Sequence, residues 1–499
     1  GVGPGMRRFK GKLGLSWCVL GTKIVAHTLG SMAAVRPFGG LRFAGQPLAD
    51  VIAPPYDVIS PEEQAELYGR SPYNVIRLEL GREADRYAEA QRCYQAWRAS
   101  GVLRQDPPSF YVYEQSFAAP DGARSRESGV GSRLLRRGLI ARVRLEPFSA
   151  GVVLPHEETL TRAKEDRLAL LRAVKANVSP VFCLYEDAGG ELRQRLATAT
   201  DRAPLAEATD DAGEGHRLWR LEGGTIERFF EGKPLFIADG HHRYETALAY
   251  RDECREEGST RDSQLRTQDS GLRTQDSGLE TQDSGLRSQD YVPSTHDSRL
   301  TTHDYVLSVL VDFADPGLLV LPTHRLAANL SAAMLRQLAE QLGDYFEVVA
   351  AAKMTSPRAV DAALSQLDSV DGPAYVLYGP LPQGLRVLAL KPQWRDSTFE
   401  SSHSQAWNRL DVAVLHAILG RILGLDAGDL ASQRHFDYTR DAAEAVRQVQ
   451  RGEAQLALLL RPTPATAIRD VALARDKMPQ KSTYFYPKLA TGVVLNPLD

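Results

Sequence analysis

The sequence contains little cysteine, little net charge and no long apolar run. Only 4 cysteines occur among 499 residues, and none are closely spaced. This spacing indicates neither a zinc site nor a disulfide framework. We therefore expect reduced thiols and a cytoplasmic location. A membrane span needs ~18 to 20 consecutive apolar residues, and no stretch reaches that length. No membrane association is expected.

The charges of the chain nearly cancel. The 60 basic and 63 acidic residues give a formal net charge of −3. This balance provides no overall attraction to nucleic acid or to an anionic surface, so a nucleic-acid partner is not expected. A composition of 43% hydrophobic and 25% charged residues is ordinary for a globular protein. The length allows two or three domains, and no feature predicts the oligomeric state.

Two segments are expected to lie outside the folded core. Residues 1–31 imitate a signal peptide, but Lys23 interrupts the apolar run and no cleavage site follows. Because this segment has no helix or strand period, we interpret it as a non-native or disordered extension. Residues 258–303 carry seven-residue repeats of the form L-R-T-Q-D-S-G. Each repeat has one apolar position and a helix-breaking Ser-Gly, which predicts a disordered insertion.

The rest of the sequence alternates helix and strand patterns, which favours a mixed α/β, or α+β, fold. We expect an N-terminal domain over residues 32–257 and a C-terminal α/β domain over residues 304–499. The first strand of the second segment is expected to complete the core of the first domain. Ser60, with Pro61 after it, is predicted to start a helix. Residues 74–80 are predicted to form a strand, and helices are predicted over residues 158–177 and from His241 to Arg255.

The strongest local signal lies at residues 237–245, Ile-Ala-Asp-Gly-His-His-Arg-Tyr-Glu. A short buried strand is expected to enter a glycine turn and then a helix. Phosphate binds at helix N-termini because unpaired N–H groups and the positive end of the helix dipole converge there. Gly240 lacks the Cβ that would obstruct the approach, and Arg243 can bind the same anion. An ordinary capped helix with solvated histidines is an equally weighted alternative from spacing alone.

Three other side chains at this junction can take part in chemistry. His241 and His242 can donate hydrogen bonds to phosphate oxygens, and one of them can act as an acid or base near neutral pH. Asp239 is the natural N-cap of the helix. An exposed carboxylate there can equally hold magnesium or accept a proton from a hydroxyl group.

The stretch Asp239-Gly240-His241-His242-Arg243 resembles the phosphate-contacting box of the ParB/sulfiredoxin superfamily, in the D-G-H-H-R form of its free-serine-kinase-like members. Over about residues 35–255 and 304–499 the chain is more similar still to an uncharacterised bacterial and archaeal family, domain of unknown function number 1015. The matching stretches are residues 53–60, 156–157, 164–167, 176–180, 237–244, 321–325 and 478–488. The resemblance implies a ParB/sulfiredoxin-like nucleotide-binding core with a second α/β domain, and ADP, ATP or CTP as the bound nucleotide.

The resemblance also limits the chemistry. Sulfiredoxins carry a cysteine in this box, where this chain has His241, so sulfinic-acid chemistry is not expected. Partition proteins add a DNA-reading helix, and the sequence shows no basic helix of that kind. Of the activities in the superfamily, phosphoryl transfer fits best.

Further polar clusters fit a phosphoryl-transfer site. Glu157, beside His156, can serve as a base or a metal ligand. Lys164 and Arg167, on the helix that follows, can neutralise a transferring phosphoryl group. A solvated, salt-bridged helix is the alternative interpretation of this cluster.

Five more positions are candidates for the same site. Lys481 and Ser482 lie in a predicted turn that can bind a second anion. His324 and Arg325 directly follow a predicted strand, and Asp57 follows a rigid proline-rich loop. For His324, Lys481 and Asp57 taken alone, structural roles are favoured.

The leading hypothesis is a magnesium-dependent phosphotransferase that moves phosphate from a nucleotide to a small hydroxylated metabolite. The candidate catalytic residues are Asp239, His241, Glu157 and Lys164. The candidate phosphate-binding residues are Gly240, His241, His242, Arg243, Arg167, Lys481 and Ser482. A nucleotide-sensing switch without catalysis and a phosphohydrolase are the alternatives. The sequence leaves the nucleotide and the acceptor open.

Overall fold

The computed structural model describes residues 33–120, 133–159, 161–272, 300–353, 357–380, 383–395, 397–431 and 434–499. Of the predicted N-terminal extension, it describes only the paired strands Val19–Leu20 and Lys23–Ile24. Residues 273–299 of the repeat segment lie outside the described ranges. Within those ranges, no helix is both long enough and apolar enough to cross a membrane.

The larger sheet is mixed, which confirms the α+β class. Its strands, in spatial order, are Ala206–Thr209, Gly215–Leu221, Phe110–Ala118, Arg133–Arg144, Tyr305–Asp312, Val181–Tyr185, Leu235–Asp239 and Val153–Leu154, with Val35–Arg36 also paired to Arg133–Arg144. Val181–Tyr185 runs parallel to Tyr305–Asp312, and Leu235–Asp239 runs parallel to Val153–Leu154. The strand that follows the repeat segment therefore lies in the middle of this sheet.

The second sheet is antiparallel throughout. Its strands, in spatial order, are Phe346–Ala352, Gln383–Leu390, Ala374–Pro380, Leu456–Leu459, His324–Ala327 and Phe436–Thr439. Three further short pairs lie within the described ranges: Leu41–Phe43 with Leu103–Gln105, Leu319–Leu321 with Tyr484–Tyr486, and Ala176–Asn177 with Asn496–Pro497.

Helices connect the strands. The α-helices are Leu48–Val51, Pro61–Arg70, Ile76–Glu79, Arg86–Ala99, Thr161–Val174, Glu191–Ala199, Ile226–Phe229, His241–Leu272, Ala332–Tyr345, Pro357–Leu367, Asp411–Leu423, Ala427–Ala431, Ala442–Arg451 and Ala465–Leu473. Short 3-10 turns lie at Tyr56–Val58, Phe148–Ala150, Thr302–Asp304, Pro392–Trp394 and Trp407–Arg409.

One apolar core joins the two sheets. Phe182 of the first sheet and Leu388 of the second belong to the same buried cluster, together with Phe485. The rings of Phe182 and Phe485 pack edge to face with their centroids 5.2 Å apart. The segment around residue 485 therefore lies between the sheets, and this places its neighbours beside the end of strand Leu235–Asp239.

The helix-start signal at Ser60 is confirmed, but the strand predicted at residues 74–80 is wrong. The Ser60 hydroxyl accepts the Glu63 N–H at 3.1 Å, and Pro61 is the first helical residue. Residues Ile76–Glu79 form a helix instead of a strand. The Asn74 carboxamide accepts the Ile76 N–H at 2.9 Å and so starts a helical turn locally. Burial of the apolar run produced the strand-like pattern.

Two predicted helix ends also differ. The helix predicted over residues 158–177 spans Thr161–Val174, and Lys175 then adopts a positive φ of 53° that ends it. The helix that begins at His241 continues to Leu272, past Arg255. No proline interrupts residues 241–272, so nothing in the backbone forces an earlier end.

Candidate functional site

The predicted strand–turn–helix junction is present. Strand Leu235–Asp239 ends at Gly240, and the helix begins at His241. Gly240 has a φ of +89°, and a Cβ at this position would lie 3.0 Å from the Arg243 side chain. Both constraints favour glycine, because other residues would be strained in this conformation.

The junction opens into a cavity of about 470 Å³. The described residues that line it come from the turn at 56–58, from 157–158, from 239–243, from 437–440 and from 481–488, with Thr323. These segments are far apart in sequence, and the two sheets together bring them to one place. The cavity contains both cations and carboxylates, which suits a ligand that carries phosphate groups and a metal ion.

An ion-pair network lies at the end of the strand. Asp239 Oδ2 accepts from Arg243 Nη2 at 2.8 Å, and Asp239 Oδ1 accepts from Lys488 Nζ at 2.6 Å. Burial acts to raise the pKa of Asp239, but Lys488 and Arg243 outweigh it and hold the pKa far below its usual value. Because both carboxylate oxygens are engaged, this arrangement favours a role in holding the two cations over the predicted role as proton acceptor.

Glu157 has the properties of a proton acceptor at neutral pH. Burial, followed by repulsion from Asp239, raises the pKa of this half-buried carboxyl to about 7, while Lys481 and Lys488 act in the opposite direction. The Ser482 backbone N–H donates a hydrogen bond to it. A carboxylate poised near the operating pH is what general-base catalysis requires.

His156 and His241 support the junction as neutral groups. His156 Nδ1 lies 2.7 Å from the Ile237 carbonyl, so Nδ1 carries the proton and Nε2 accepts from the Thr483 hydroxyl at 3.0 Å. The His156 backbone N–H donates to His241 Nε2 at 3.2 Å. Burial lowers the pKa of His156 to about 4 and that of His241 well below its usual value. Both imidazoles are therefore uncharged at neutral pH.

Two buried arginines hold the segments that carry the cavity lysines. Arg136 donates to the Tyr486 and Pro487 carbonyls at 3.3 and 2.6 Å, and to the Gln115 side chain. Gln115 Nε2 in turn donates to the Lys488 carbonyl at 3.0 Å. The backbone around Lys488 is therefore held in place by the Arg136 guanidinium and the Gln115 carboxamide, both of which are buried.

Arg325 holds the backbone around Lys481 in the same way. It donates to the Lys481 carbonyl at 3.1 Å and also to the Thr323 carbonyl. Among the described residues, no carboxylate lies within ion-pair distance of either Arg136 or Arg325. Burial lowers the pKa of each guanidinium to about 10, so both remain charged at neutral pH and add positive potential beside the cavity.

Replacing Arg136 by methionine is expected to lower the free energy of unfolding by about 3 to 5 kcal/mol, because two buried acceptors and one partly buried acceptor lose a charged donor. The measurement is urea unfolding followed by circular dichroism. Arg217→Met is the matched control, since the Arg217 side chain is 52% exposed and should cost at most about 0.5 kcal/mol. Equal losses in the two variants would show that Arg136 does not hold the segment.

The structure brings together many of the predicted site residues, but not all. Those that line the cavity are Asp57, Glu157, Asp239, Gly240, His241, His242, Arg243 and Lys481. Those that do not line it are His156, Lys164, Arg167, His324, Arg325 and Ser482. The contacts of the residues that do not line the cavity show what each of them does instead.

Lys164 and Arg167 are engaged by carboxylates elsewhere. Lys164 Nζ lies 2.9 Å from Glu245 Oε2. Arg167 is buried and pairs with Glu79 and Asp166. Its guanidinium carbon also lies 4.2 Å from the centre of the Tyr56 ring, which lines the cavity. Arg167 therefore supports a wall of the cavity and does not itself face the ligand space.

His324 and Ser482 have structural contacts. His324 is buried, and its Nδ1 accepts the Leu460 N–H at 3.1 Å. The Ser482 hydroxyl donates to the Pro479 carbonyl, and Ser482 does not line the cavity. Ser482 contributes through its backbone, which bonds to Glu157.

Lys488, Arg440 and Tyr484 also line the cavity, although none of them was predicted from the sequence as a site residue. The Arg440 guanidinium lies 4.0 Å and the Lys488 amine 4.7 Å from the centre of the Tyr484 ring. Lys488 falls within the matched stretch at residues 478–488, which was a usable signal. No spacing rule, however, relates residue 488 to residue 239, so only the fold shows that they form an ion pair.

The family of the chain follows from a sequence match. The model of a family described as protein of unknown function (DUF1015) matches residues 35–413, well over half of the chain. The chain belongs to this family. Among proteins with curated descriptions, none matches it significantly.

Several solved structures are similar in outline. A free serine kinase in complex with AMP shares 10% identity at a TM-score of 0.29, covering 72% of this chain and 92% of that chain. A conserved hypothetical protein from Pyrococcus furiosus shares 12% identity at a TM-score of 0.31, covering 70% of this chain and 92% of that chain. SbnI with C-terminal truncation, from Staphylococcus aureus, shares 9% identity at a TM-score of 0.30, covering 70% of this chain and 85% of that chain. Similarity at this level assigns neither activity nor residues, which must be argued from the site itself.

Proposed function

We propose that the cavity binds the phosphates of a nucleotide and transfers one phosphoryl group to the hydroxyl group of a small metabolite. The observation that carries this proposal is the convergence of a glycine-preceded helix N-terminus with Arg243, Lys481 and Lys488 on one cavity of about 470 Å³. A volume of this order falls within the range of about 300 to 1,000 Å³ that is typical of small-molecule sites.

The phosphates would bind at the first turn of the helix. Backbone N–H groups at residues 241–243 have no acceptor one turn earlier in the helix, and the helix dipole favours negative charge at this end. Arg243 and Lys488 lie beside the turn, already fixed by Asp239. The neutral imidazole of His242 can donate a hydrogen bond without adding charge.

Glu157 would remove the proton from the acceptor. The acceptor oxygen forms a bond to phosphorus, the bond from phosphorus to the nucleotide oxygen breaks, and the hydroxyl proton goes to the Glu157 carboxylate. The negative charge that remains on the nucleotide is balanced by the cations of the cavity. Asp57, in the turn Tyr56–Val58, also lines the cavity and is the alternative proton acceptor.

Magnesium is part of the proposal. Asp57 and Asp437 line the cavity and can supply oxygen ligands of the kind that Mg²⁺ prefers. When bound, the ion would neutralise phosphate charge. The oxygens of Asp239 are less suitable, because each is already bonded to a cation.

The test uses purified protein with ADP, ATP, CTP and GTP in the presence of Mg²⁺. Thermal shift would first identify the nucleotide that binds. Phosphorus NMR would then follow that nucleotide with serine and other small hydroxyl compounds. A new phosphate ester supports the transferase, and inorganic phosphate without an ester would indicate a hydrolase. Binding without turnover would favour the nucleotide-sensing switch, and binding of no nucleotide would contradict all three.

The rate of transfer is expected to rise with pH through an apparent pKa of about 7. Glu157 accepts a proton only when it is ionised, and burial raises the pKa of this carboxyl to about 7. The base is therefore lost as the pH falls below neutrality and present above it. The measurement is kcat/KM between pH 5.5 and 8.5, with unfolding followed in parallel at each pH. A flat profile across neutrality would exclude Glu157 as the base.

A further inference from the structure

A second cavity of about 470 Å³ adjoins the proposed nucleotide site. Val58, Tyr484 and Lys488 line both cavities, so the two share a wall. The other residues of the second cavity have no part in the phosphoryl transfer proposed above. They include the hairpin between strands Ala206–Thr209 and Gly215–Leu221.

Three side chains of this hairpin converge. Asp210, Glu214 and His216 each present one potential ligand atom, and these atoms all lie within 4.8 Å of one another. His216 Nε2 and Asp210 Oδ2 are 3.0 Å apart. Metal–ligand bonds of about 2.0 to 2.2 Å place neighbouring ligand atoms roughly 3 Å apart, so this pair already has the separation of two ligands on one ion.

Each of the three side chains is also held by a group outside the potential coordination sphere. His216 is 1% exposed, and its Nδ1 lies 2.7 Å from the buried Tyr113 hydroxyl. Asp210 Oδ1 accepts the Glu214 backbone N–H at 2.8 Å, which leaves Oδ2 for a ligand. The Tyr486 hydroxyl bonds to the Glu214 carboxylate. Such outer partners orient the ligands of metal sites and are costly to remove.

The imidazole can change partner without a change in charge. When Nε2 is protonated it donates to Asp210. When Nε2 binds an ion, the proton lies on Nδ1, and the Tyr113 hydroxyl oxygen can accept it. The potential ligand atoms of Asp210 and Glu214 lie within 4.8 Å of each other, so the two carboxylates repel when both are ionised. A divalent cation would relieve this repulsion.

We propose that Asp210, Glu214 and His216 bind a divalent first-row transition-metal ion, whose remaining coordination positions are open to the second cavity. One imidazole with two carboxylates is typical of ions such as Zn²⁺, Mn²⁺ and Fe²⁺, whereas Mg²⁺ prefers oxygen ligands and water. This site is independent of the nucleotide site and does not rest on its activity.

The test uses the full-length protein without nucleotide. Titration with Co²⁺ should produce visible d–d absorption, because imidazole ligation and a low coordination number intensify these bands. Zn²⁺ should displace the Co²⁺, and Mn²⁺ binding is measured by electron paramagnetic resonance. Mg²⁺ should not displace either ion at equal concentration. His216→Gln and Asp210→Asn are expected to lose the signal, and Tyr113→Phe to weaken affinity by about 10- to 100-fold.

Two further variants distinguish this site from other carboxylates. Asp211→Asn is the matched control, because Asp211 lies in the same hairpin but pairs with Arg70 and is not part of the cluster. Its affinity should equal that of the unaltered protein. Asp239→Asn should also retain the ion, because Asp239 belongs to the other cavity. The proposal is overturned if no transition metal binds, if Asp210→Asn and Asp211→Asn bind equally, or if binding is lost in Asp239→Asn. Circular dichroism confirms that each variant is folded.

Discussion

Replacing Lys488 by methionine is expected to weaken nucleotide binding by about 100-fold or more, which corresponds to ~3 kcal/mol. The Lys488 side chain is 14% exposed and shares Asp239 with Arg243. Burial acts to lower the pKa of Lys488, but Asp239 and Asp57 outweigh it and raise the pKa, so the amine is charged. Its loss removes a positive charge from the phosphate site and exposes the phosphates to the Asp239 carboxylate.

The measurement is isothermal titration calorimetry with the nucleotide that gives the largest thermal shift. Lys233→Met is the matched control, because Lys233 bonds to the Glu186 carbonyl and does not line the cavity. Combining Lys488→Met with Asp239→Asn should restore part of the affinity, because the unpaired carboxylate is then neutral. An unchanged affinity in Lys488→Met would show that the phosphates bind elsewhere.

Replacing Glu157 by glutamine is expected to lower kcat by about 10²- to 10⁴-fold while the nucleotide affinity changes only a few-fold. The substitution removes the proton acceptor but preserves size and the ability to accept a hydrogen bond from the Ser482 N–H. The loss should be largest above pH 7, where the carboxylate of the unaltered protein is ionised. Loss of kcat without loss of binding is the signature of a group that acts in the transition state.

Glu158→Gln is the control for this prediction. Glu158 is the adjacent carboxylate, also lines the cavity and is exposed. Its neutralisation should change kcat only a few-fold. If the two variants lose activity equally, the effect is the charge of the cavity and not a proton transfer by Glu157. If Glu157→Gln retains full activity, the base is another residue, and Asp57 becomes the next to test.

The sequence predicted the strand–turn–helix junction in full because all of its parts are local. A strand, a glycine with positive φ, a helix start and an arginine one turn later lie within nine residues, at 235–243. The helix start at Ser60 was predictable for the same reason, since its cap involves residues three apart. Where local geometry and tertiary burial gave similar apolar patterns, as at Ile76–Glu79, the pattern alone indicated the wrong element.

The charges were harder to predict, because a side chain's role depends on its partner. Lys164 and Arg167 are the residue types expected at a phosphate site. In the structure, however, Lys164 pairs with Glu245, and Arg167 pairs with Glu79 and Asp166. Lys488 is the cavity cation that pairs with Asp239 from 249 positions away. Arg136 and Arg325 act through backbone carbonyls, and sequence spacing carries no signal for such contacts.

By itself, then, the sequence determined the mixed α+β class and the helix N-terminus at residues 239–243, since these follow from short-range periodicity and a local motif. It also determined the family, since the family model matches residues 35–413. The tertiary structure alone decided which cations reach the cavity, which carboxylate is held near neutral pKa and which is held ionised. The physical reason is that charge–charge interaction and desolvation depend on distance and burial in space. Distance and burial are defined only in the folded protein, where residues 481–488 lie between the two sheets.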